Sequence, residues 1–463
     1  MFRRGRGDLV RLWVAFGLAH AWLAYLGVVV VPAESFHDVD LYRYWVVLGL
    51  YTGQWPVLDD AWVYPAGALI PMLLVALAGA TTAAGYAVGW CLLVTLIDGW
   101  ALAGLLRFRT PDGAIRTVGA WWWLAFLVLL GPVAIGRLDA IIAPLMILAL
   151  LAGIRHPRVG AALLAAGAWV KVAPGAVLLP LAVAARRPLR DAVVPAAAVS
   201  VAIAATVAAL GGWRHLLSFL STQQVRGLQV ESVATTPWVL ASLRHDDVAI
   251  GLNQALVTWE VTGPGTVAAA RVLDVVLVLG VGAVAALLWR VRQEGRAECA
   301  VVPGALALLA VLIVANKVGS PQFMTWLAAP VAVLVAVGVA GDVTAPARGR
   351  PQRWIRAVAG LVLVAAGLTQ VVFPWGYLRL LTGDPLVTAV LVARNVLLVA
   401  LLATAVVGLV RLTRPPPPCD AASLRDGEDH AAPTTGGIEA RRDNTIDRRA
   451  KTGEQGQVHP ADQ

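Results

Sequence analysis

Four acids stand close together between residues 35 and 60, at Asp38, Asp40, Asp59 and Asp60, interleaved with tyrosines and tryptophans. They follow the first long apolar run of a chain that is 59% hydrophobic and only 14% charged. A carboxylate beside an apolar wall can take a proton from a hydroxyl while that oxygen attacks an electrophilic carbon. Asp38 and Asp40 are the candidate catalytic bases. Two-residue spacing keeps them off a common helix face, so one of the two is expected to point into a cavity. The competing role for both is that of solvated loop acids or helix N-caps. Asp59 and Asp60, just before Tyr64-Pro65, fit loop or cap positions better.

The cations carry a second signal. Lysines and arginines together number 37, yet only Lys171, Lys317 and Lys451 are lysine. Where a generic positive charge suffices the chain uses arginine, whereas Lys171 and Lys317 lie in or beside apolar segments. A compact ammonium suits a phosphate as a point charge, and an ionisable group inside a membrane is a functional candidate by default. Snorkelling, or pairing with a nearby acid, is the alternative for each. Lys171 precedes Pro174, and a proline frees backbone groups that then need a polar partner. Lys317 sits in a polar break, Asn316-Lys317-Val318-Gly319-Ser320-Pro321-Gln322, between two apolar runs. Gly136-Arg137-Leu138-Asp139 forms a third notch, in which Arg137 either meets a ligand or pairs with Asp139. Asp98, alone in an apolar run, reads as a structural group that bonds or pairs with an arginine.

Many long helices are needed to carry these residues. A mean hydropathy of +0.74 over 463 residues lies far outside the range of soluble globular chains. Apolar runs of about 20 residues, enough to cross a ~30 Å hydrocarbon core, recur throughout. They fall near 9–31, 64–80, 84–106, 117–131, 138–153, 160–183, 191–210, 265–289, 300–315, 321–341, 357–374 and 386–411. The expected fold is an all-α polytopic membrane protein, a bundle of about twelve transmembrane helices with the site built on external loops. The net charge of +9 comes mostly from arginines between apolar runs, where they orient helices, so nucleic acid is not an expected partner. Three cysteines give no disulfide framework and no zinc spacing, and no metal or cofactor is expected. Eighteen tryptophans fit interfacial belts. The arginines before residue 12 and the length of the first apolar run imply a retained first helix with a cytoplasmic N-terminus.

Arginine placement also bears on threading. The second half alternates cleanly and puts 211–264, 316–322 and 375–385 outside, on the Asp38 face. In the first half, simple spans would leave Arg107, Arg109, Arg116, Arg155 and Arg158 outside. The preferred threading breaks 160–185 into two short helices at 171–174 and needs an irregular, re-entrant element within 64–106. It brings Arg137, Asp139 and Lys171 to the Asp38 face. Residues 1–411 thus form the membrane domain, with 32–63 as first external loop and 211–264 as a second loop carrying short amphipathic helices. Residues 412–463, which open on a proline run, read as a disordered cytoplasmic tail.

These pieces, in this order, resemble the GT-C glycosyltransferases, and specifically glycosyltransferase family 87, the actinobacterial polyprenyl-phosphate-mannose-dependent α-mannosyltransferases. The matching residues are Asp38-Val39-Asp40-Leu41-Tyr42-Arg43, then Gly53 through Tyr64-Pro65, then Gly136-Arg137-Leu138-Asp139. Lys171-Val172-Ala173-Pro174 and Asn316-Lys317 through Gln322 and Trp326 complete them. The chain has Tyr64-Pro65-Ala66 where the family often has Tyr-Pro-Pro, and Asp139 where it has asparagine. The resemblance implies transfer of a hexose, mannose in the family, from a polyprenyl-phosphate donor to a lipid or glycan acceptor at the external face of the plasma membrane, with inversion and both termini cytoplasmic. It implies Asp38 as base with Asp40 in reserve. Lys171, Lys317 and Arg137 would bind the donor phosphate, and Tyr42, Tyr64, Asp139, Asn316 and Gln322 the substrates. A secondary transporter or lipid flippase is the alternative; it would call for a mid-membrane relay and an internal repeat, and no repeat is evident.

Overall fold

The computed structural model describes residues 2–77, 79–108, 115–224, 226–254, 256–338 and 350–414. Of the expected tail, 412–463, residues 415–463 lie outside them, and Leu412 ends the last helix. The chain is an all-α polytopic membrane protein whose described residues include eight helices long and apolar enough to cross a bilayer. These are Gly7–Val30, Ala83–Leu105, Leu189–Ala209, Thr266–Gln293, Ala297–Val314, Pro321–Gly338, Gln352–Trp375 and Pro385–Leu412. Five shorter apolar helices, Ala66–Ala76, Val118–Ala134, Asp139–Gly153, Pro157–Val170 and Ala173–Ala184, cover the other four of the twelve expected segments, the last two helices sharing 160–183.

In chain order the α-helices are α1 (Phe2–Tyr25), α2 (Pro32–Ser35), α3 (His37–Thr52), α4 (Leu69–Ala76), α5 (Ala83–Leu105) and α6 (Val118–Leu130). Then come α7 (Asp139–Gly153), α8 (Pro157–Val170), α9 (Ala173–Ala184), α10 (Val194–Ala209), α11 (Ser218–Gln224) and α12 (Thr236–Ala241). A hairpin of β1 (Ala249–Asn253) and β2 (Thr258–Thr262) precedes α13 (Thr266–Gln293) and α14 (Val301–Val314). The last are α15 (Met324–Gly338), α16 (Arg350–Gln370), α17 (Tyr377–Leu381) and α18 (Pro385–Leu412).

Two departures from simple spans position the site. The first is at 64–106. Ala66–Ala76, the 3-10 turn and α4 together, is about 16 Å long at ~1.5 Å per residue, roughly half a hydrocarbon core. Tyr86 Oη donates to the Met72 carbonyl at 2.9 Å, and Gly89 faces Val75. Contacts in that order make α4 run alongside the start of α5 in the same direction, so the chain dips and doubles back. The second departure is the α8–α9 hairpin. Lys171 is extended (φ −155°, ψ 138°) at the end of α8, and Pro174, in the first turn of α9, costs no helical hydrogen bond there. Gly167 faces Pro174 and Gly153 faces Leu181, so α9 folds back along α8 and leaves Lys171 at the apex.

The arginines confirm the pairing of helix ends. Arg158 Nε lies 3.0 Å from Asp191 Oδ1, Arg292 donates to the Val183 and Ala185 carbonyls, and Arg296 Nη1 donates to Leu412 and Arg414 carbonyls at 3.3 and 3.1 Å. One pole of the bundle is therefore the arginine pole, the arrangement the broken-helix threading requires. Lys317 pairs with Asp274 near the start of α13, while Arg292 sits at its end, about 27 Å further at ~1.5 Å per residue. The two membrane-domain lysines thus belong to the opposite pole.

That pole carries a polar layer. Residues 211–264 hold short helices, as expected, and also the β-hairpin, which the sequence reading did not anticipate. A small apolar core of Val230, Val239, Val248, Val261, Val372, Leu380, Val387 and Leu391 ties this layer to α17 and the start of α18. Trp62 N donates to Ser218 Oγ at 2.8 Å, which returns a bond to the Trp62 carbonyl at 3.1 Å, fastening the 32–63 stretch to the 211–264 stretch.

Candidate active site

Asp38 and Asp40 lie in the first turn of α3 and separate as their spacing requires. Asp40 accepts from Arg43 Nε at 2.8 Å, one turn along, and its side chain is 54% exposed. Asp38 turns inward: its side chain is 25% exposed, and its Oδ2 lies 3.2 Å from Arg137 Nε. No hydrogen bond from another described residue reaches the Asp38 carboxylate, so its remaining lone pairs are open to a ligand. Arg137 is buried and fixed from elsewhere. It donates to the Ser35 carbonyl at 2.9 Å and the Glu34 carbonyl at 3.1 Å, capping α2. A Cβ on Gly136 would stand 2.5 Å from the Ser35 carbonyl oxygen, so only glycine lets the two segments meet.

The local Arg137–Asp139 pair, one of the two readings of that notch, does not form. Asp139, at the first position of α7 and with no exposed side-chain surface, instead bonds Lys171 across the bundle. Its other oxygen accepts from Trp326 Nε1 at 2.7 Å. Both carboxylate oxygens are thus occupied. Lys171 stands over the Tyr64 and Phe323 rings, 6.0 and 5.8 Å from their centroids, and keeps 17% of its side chain exposed. An ammonium has three donors, so the Asp139 bond leaves two.

Tyr42 and Tyr64 complete the wall. Tyr42 Oη accepts from Leu138 N at 3.3 Å, and the two rings meet edge to face at 6.1 Å. Trp45 and Trp62 extend the aromatic surface, with centroids 5.3 Å apart. Burial pushes both phenols well above the ordinary tyrosine range, and the Asp38 charge pushes the same way. Both stay protonated at neutral pH and act as hydroxyl donors.

Lys317 and Asn316 occupy the break between α14 and α15. Lys317 is buried, its Nζ 3.1 Å from Asp274 Oδ2. Asn316 Oδ1 caps Val318 N at 2.9 Å. The polar layer closes on this break: Gln229 N donates to the Lys317 carbonyl at 3.0 Å, and Gly319 N donates to Gln229 Oε1 at 3.2 Å. Gln322 is half-buried, and its side chain makes no hydrogen bond among the described residues. Phe323 links this region to Lys171, since it lies under the ammonium and stacks on Trp326 at 4.0 Å.

The structure therefore joins Asp38, Arg137, Tyr42, Tyr64, Asp139 and Lys171 in one contact network, places Lys317 and Asn316 in the adjoining break, and puts Asp40 outside it. Sequence reasoning missed the buried pair of Glu231 and Arg394, 2.9 Å apart. An arginine in the apolar 386–411 run was the available signal. Asp98 takes the first of its two expected roles, a buried structural hydrogen-bonding group, with His20 Nε2 at 3.0 Å as its partner rather than an arginine. Among the described residues no group of three or more His, Cys, Asp or Glu is placed to hold a metal ion. The site offers an open carboxylate, an ammonium with spare donors and an aromatic wall, which suit proton abstraction beside a developing anion.

No curated relative and no solved structure matches the chain. A family model described as "Glycosyltransferase family 87" matches residues 62–315, more than half of it. Tyr64, Arg137, Asp139 and Lys171 fall within the matched stretch, and Asp38 and Lys317 outside it. The chain belongs to glycosyltransferase family 87.

Proposed function

We propose that this glycosyltransferase moves a hexose, mannose by resemblance, from a polyprenyl-phosphate donor to a lipid or glycan hydroxyl, with the site on the external face of the plasma membrane. The observation that carries the reading is Asp38, inward and open, beside a wall that ends in Lys171. The acceptor oxygen bonds to the anomeric carbon as the bond from that carbon to the phosphate oxygen breaks. The acceptor proton passes to Asp38, and the electron pair of the broken bond leaves with polyprenyl phosphate. Lys171, steadied by Asp139 beneath it, and Lys317 offset the charge that gathers on the leaving phosphate. Arg137 fixes the direction of Asp38, and Tyr42 and Tyr64 present hydroxyls and ring faces to the sugar. Attack opposite the leaving group converts a β-linked donor to an α-linked product. The arginine pole supports the orientation: with arginines inside, both termini are cytoplasmic and the site is external.

The test is transfer from labelled polyprenyl-phosphate-mannose, with other polyprenyl-phosphate hexoses in parallel, to membrane lipid extract by the purified full chain, with product linkage determined. An α-linked product is expected. Substrate-dependent proton flux in liposomes, with no transfer from any of these donors, would overturn the reading in favour of a transporter.

A further inference from the structure

The cations around the site are spoken for: Arg137 by Asp38, Lys171 by Asp139, Lys317 by Asp274, and Arg394 by Glu231. Arg226, in the external layer, differs. It is half-buried, its Nε is shielded from solvent, and among the described residues that nitrogen has no hydrogen-bond partner. Among the described residues no carboxylate pairs with its guanidinium within 4 Å. The groups that act on it electrostatically are the Tyr64 phenol, in the wall of the candidate site, and the Glu260 carboxylate. Glu260 is already engaged by three donors: Gly227 N at 3.1 Å, Asn253 Nδ2 at 3.1 Å and Thr258 Oγ1 at 3.0 Å.

The backbone beside Arg226 is firmly held. Val261 N donates to the Leu228 carbonyl at 2.8 Å and Val230 N to the Trp259 carbonyl at 3.1 Å, so 228–230 lies against β2 like a third strand. Gln229 fastens the same stretch to the Lys317 break. A guanidinium set on such a support, with a buried donor unmet, is organised for an anion that is absent from the bare protein. Its planar fork fits two oxygens of one phosphate.

We propose that Arg226 binds the donor phosphate, gripping two of its oxygens from the external layer while Lys171 meets the phosphate from the membrane side. This assignment rests on the lipid-phosphate transfer reading. Arg226 supplies positive charge that no protein carboxylate at hydrogen-bonding distance cancels, as a phosphate gaining charge on release requires.

The experiment compares wild type, R226Q and R226K as full chains in nanodiscs. It measures binding of polyprenyl phosphate and of uncharged polyprenol, and KM and kcat for the polyprenyl-phosphate sugar. R226Q is expected to weaken polyprenyl phosphate binding and raise donor KM by ~10–100-fold, the range for lost hydrogen bonds to a charged group. Polyprenol binding should not change. R226K should weaken phosphate binding by about 3- to 10-fold, because a point charge replaces the fork. Wild-type phosphate affinity in R226Q, or absence of polyprenyl phosphate binding by the wild type, overturns the assignment. If R226Q does not fold, wild-type affinity in R226K overturns it. Transfer by the wild type with unchanged donor KM in R226Q sinks Arg226 alone. Phosphate binding that depends on Arg226, without sugar transfer from any donor, sinks the transfer reading and keeps the site.

Discussion

Arg137 Nε lies 3.2 Å from Asp38, although Asp139 is only two residues along the chain. Asp139 turns away to Lys171 and Trp326. The crossing gives each carboxylate a different task. Asp38 keeps open lone pairs and some exposure, as a base must, whereas Asp139 is sealed and both its oxygens are occupied. The four charges cancel in the bare protein, so on the proposed lipid-phosphate reading a leaving phosphate draws on cations beyond this quartet as well.

Asp38 and Asp40 therefore separate by function. D38N should lower kcat by about 10²–10⁴-fold, the usual contribution of a positioned base. The protein should still elute as a folded species. D40N removes a partner of Arg43 at an exposed site, where ion pairs contribute ~0–1 kcal/mol, and should stay within a few-fold of wild type. Full transfer by D38N would remove Asp38 from its role.

If Lys171 serves the proposed transfer, its pair with Asp139 has a structural and a catalytic part that a mutant cycle separates. Breaking one side of a buried ion pair costs about 3–5 kcal/mol, whereas replacing both partners with apolar groups is often near neutral. K171M and D139L should each lower the thermal midpoint in detergent, and K171M/D139L should recover much of the loss. Transfer should not recover with stability, because the ammonium is still missing. An active double variant would limit Lys171 to a structural role.

Much of this site was legible in the sequence, for a physical reason. A charge in an apolar run is costly, so Lys171, Lys317 and Asp139 stand out without any structure. Pro174 after Lys171 announced the helix break in the same way. Partner choice was not legible, because the Arg137–Asp38 and Lys171–Asp139 bonds depend on how distant helix ends meet. The local pair suggested by Gly136-Arg137-Leu138-Asp139 competed on paper and lost in the fold. The polar layer of 211–264 was the least legible part. Its hairpin does alternate, in Thr258-Trp259-Glu260-Val261-Thr262, but over only five residues a side, too short to stand out among apolar runs of about twenty. Arg226 looks ordinary until its lack of a partner among the described residues is seen.

Asp384 gives a prediction for acid stability. It caps α18 by accepting from Leu386 N and Val387 N at 2.9 and 3.0 Å, and Arg379 donates to its other oxygen. The backbone bonds, Val387 first, and Arg379 hold its carboxyl below the ordinary value of 3.8. A depressed folded-state value means that the unfolded chain takes up the proton first. The contribution is then complete above 3.8 and fades as pH falls through the folded value. The stability gap between wild type and D384A should be constant from neutral pH to about pH 5 and shrink below the carboxylate range. A gap that widens towards acid would contradict the sign.

Gly319 tests whether the polar layer must close on the lysine break for the site to work. A Cβ there would collide with the backbone nitrogen of Ser232, an atom no side-chain rotation can clear. Either the 316–320 break or the 229–232 segment must then move, and Gln229 bonds both. The shift would carry Arg226 and Lys317 out of register with Lys171. A displacement of ~1 Å at positioning groups can cost about 10²-fold in rate. Gly251, on β1, has nothing within 4 Å of its added Cβ and is the control. G319A should lose about 10²-fold or more in kcat/KM while G251A stays near wild type, both measured as sugar transfer by protein of matched monodispersity. Equal activities would mean that the layer can part from the break without disturbing the chemistry.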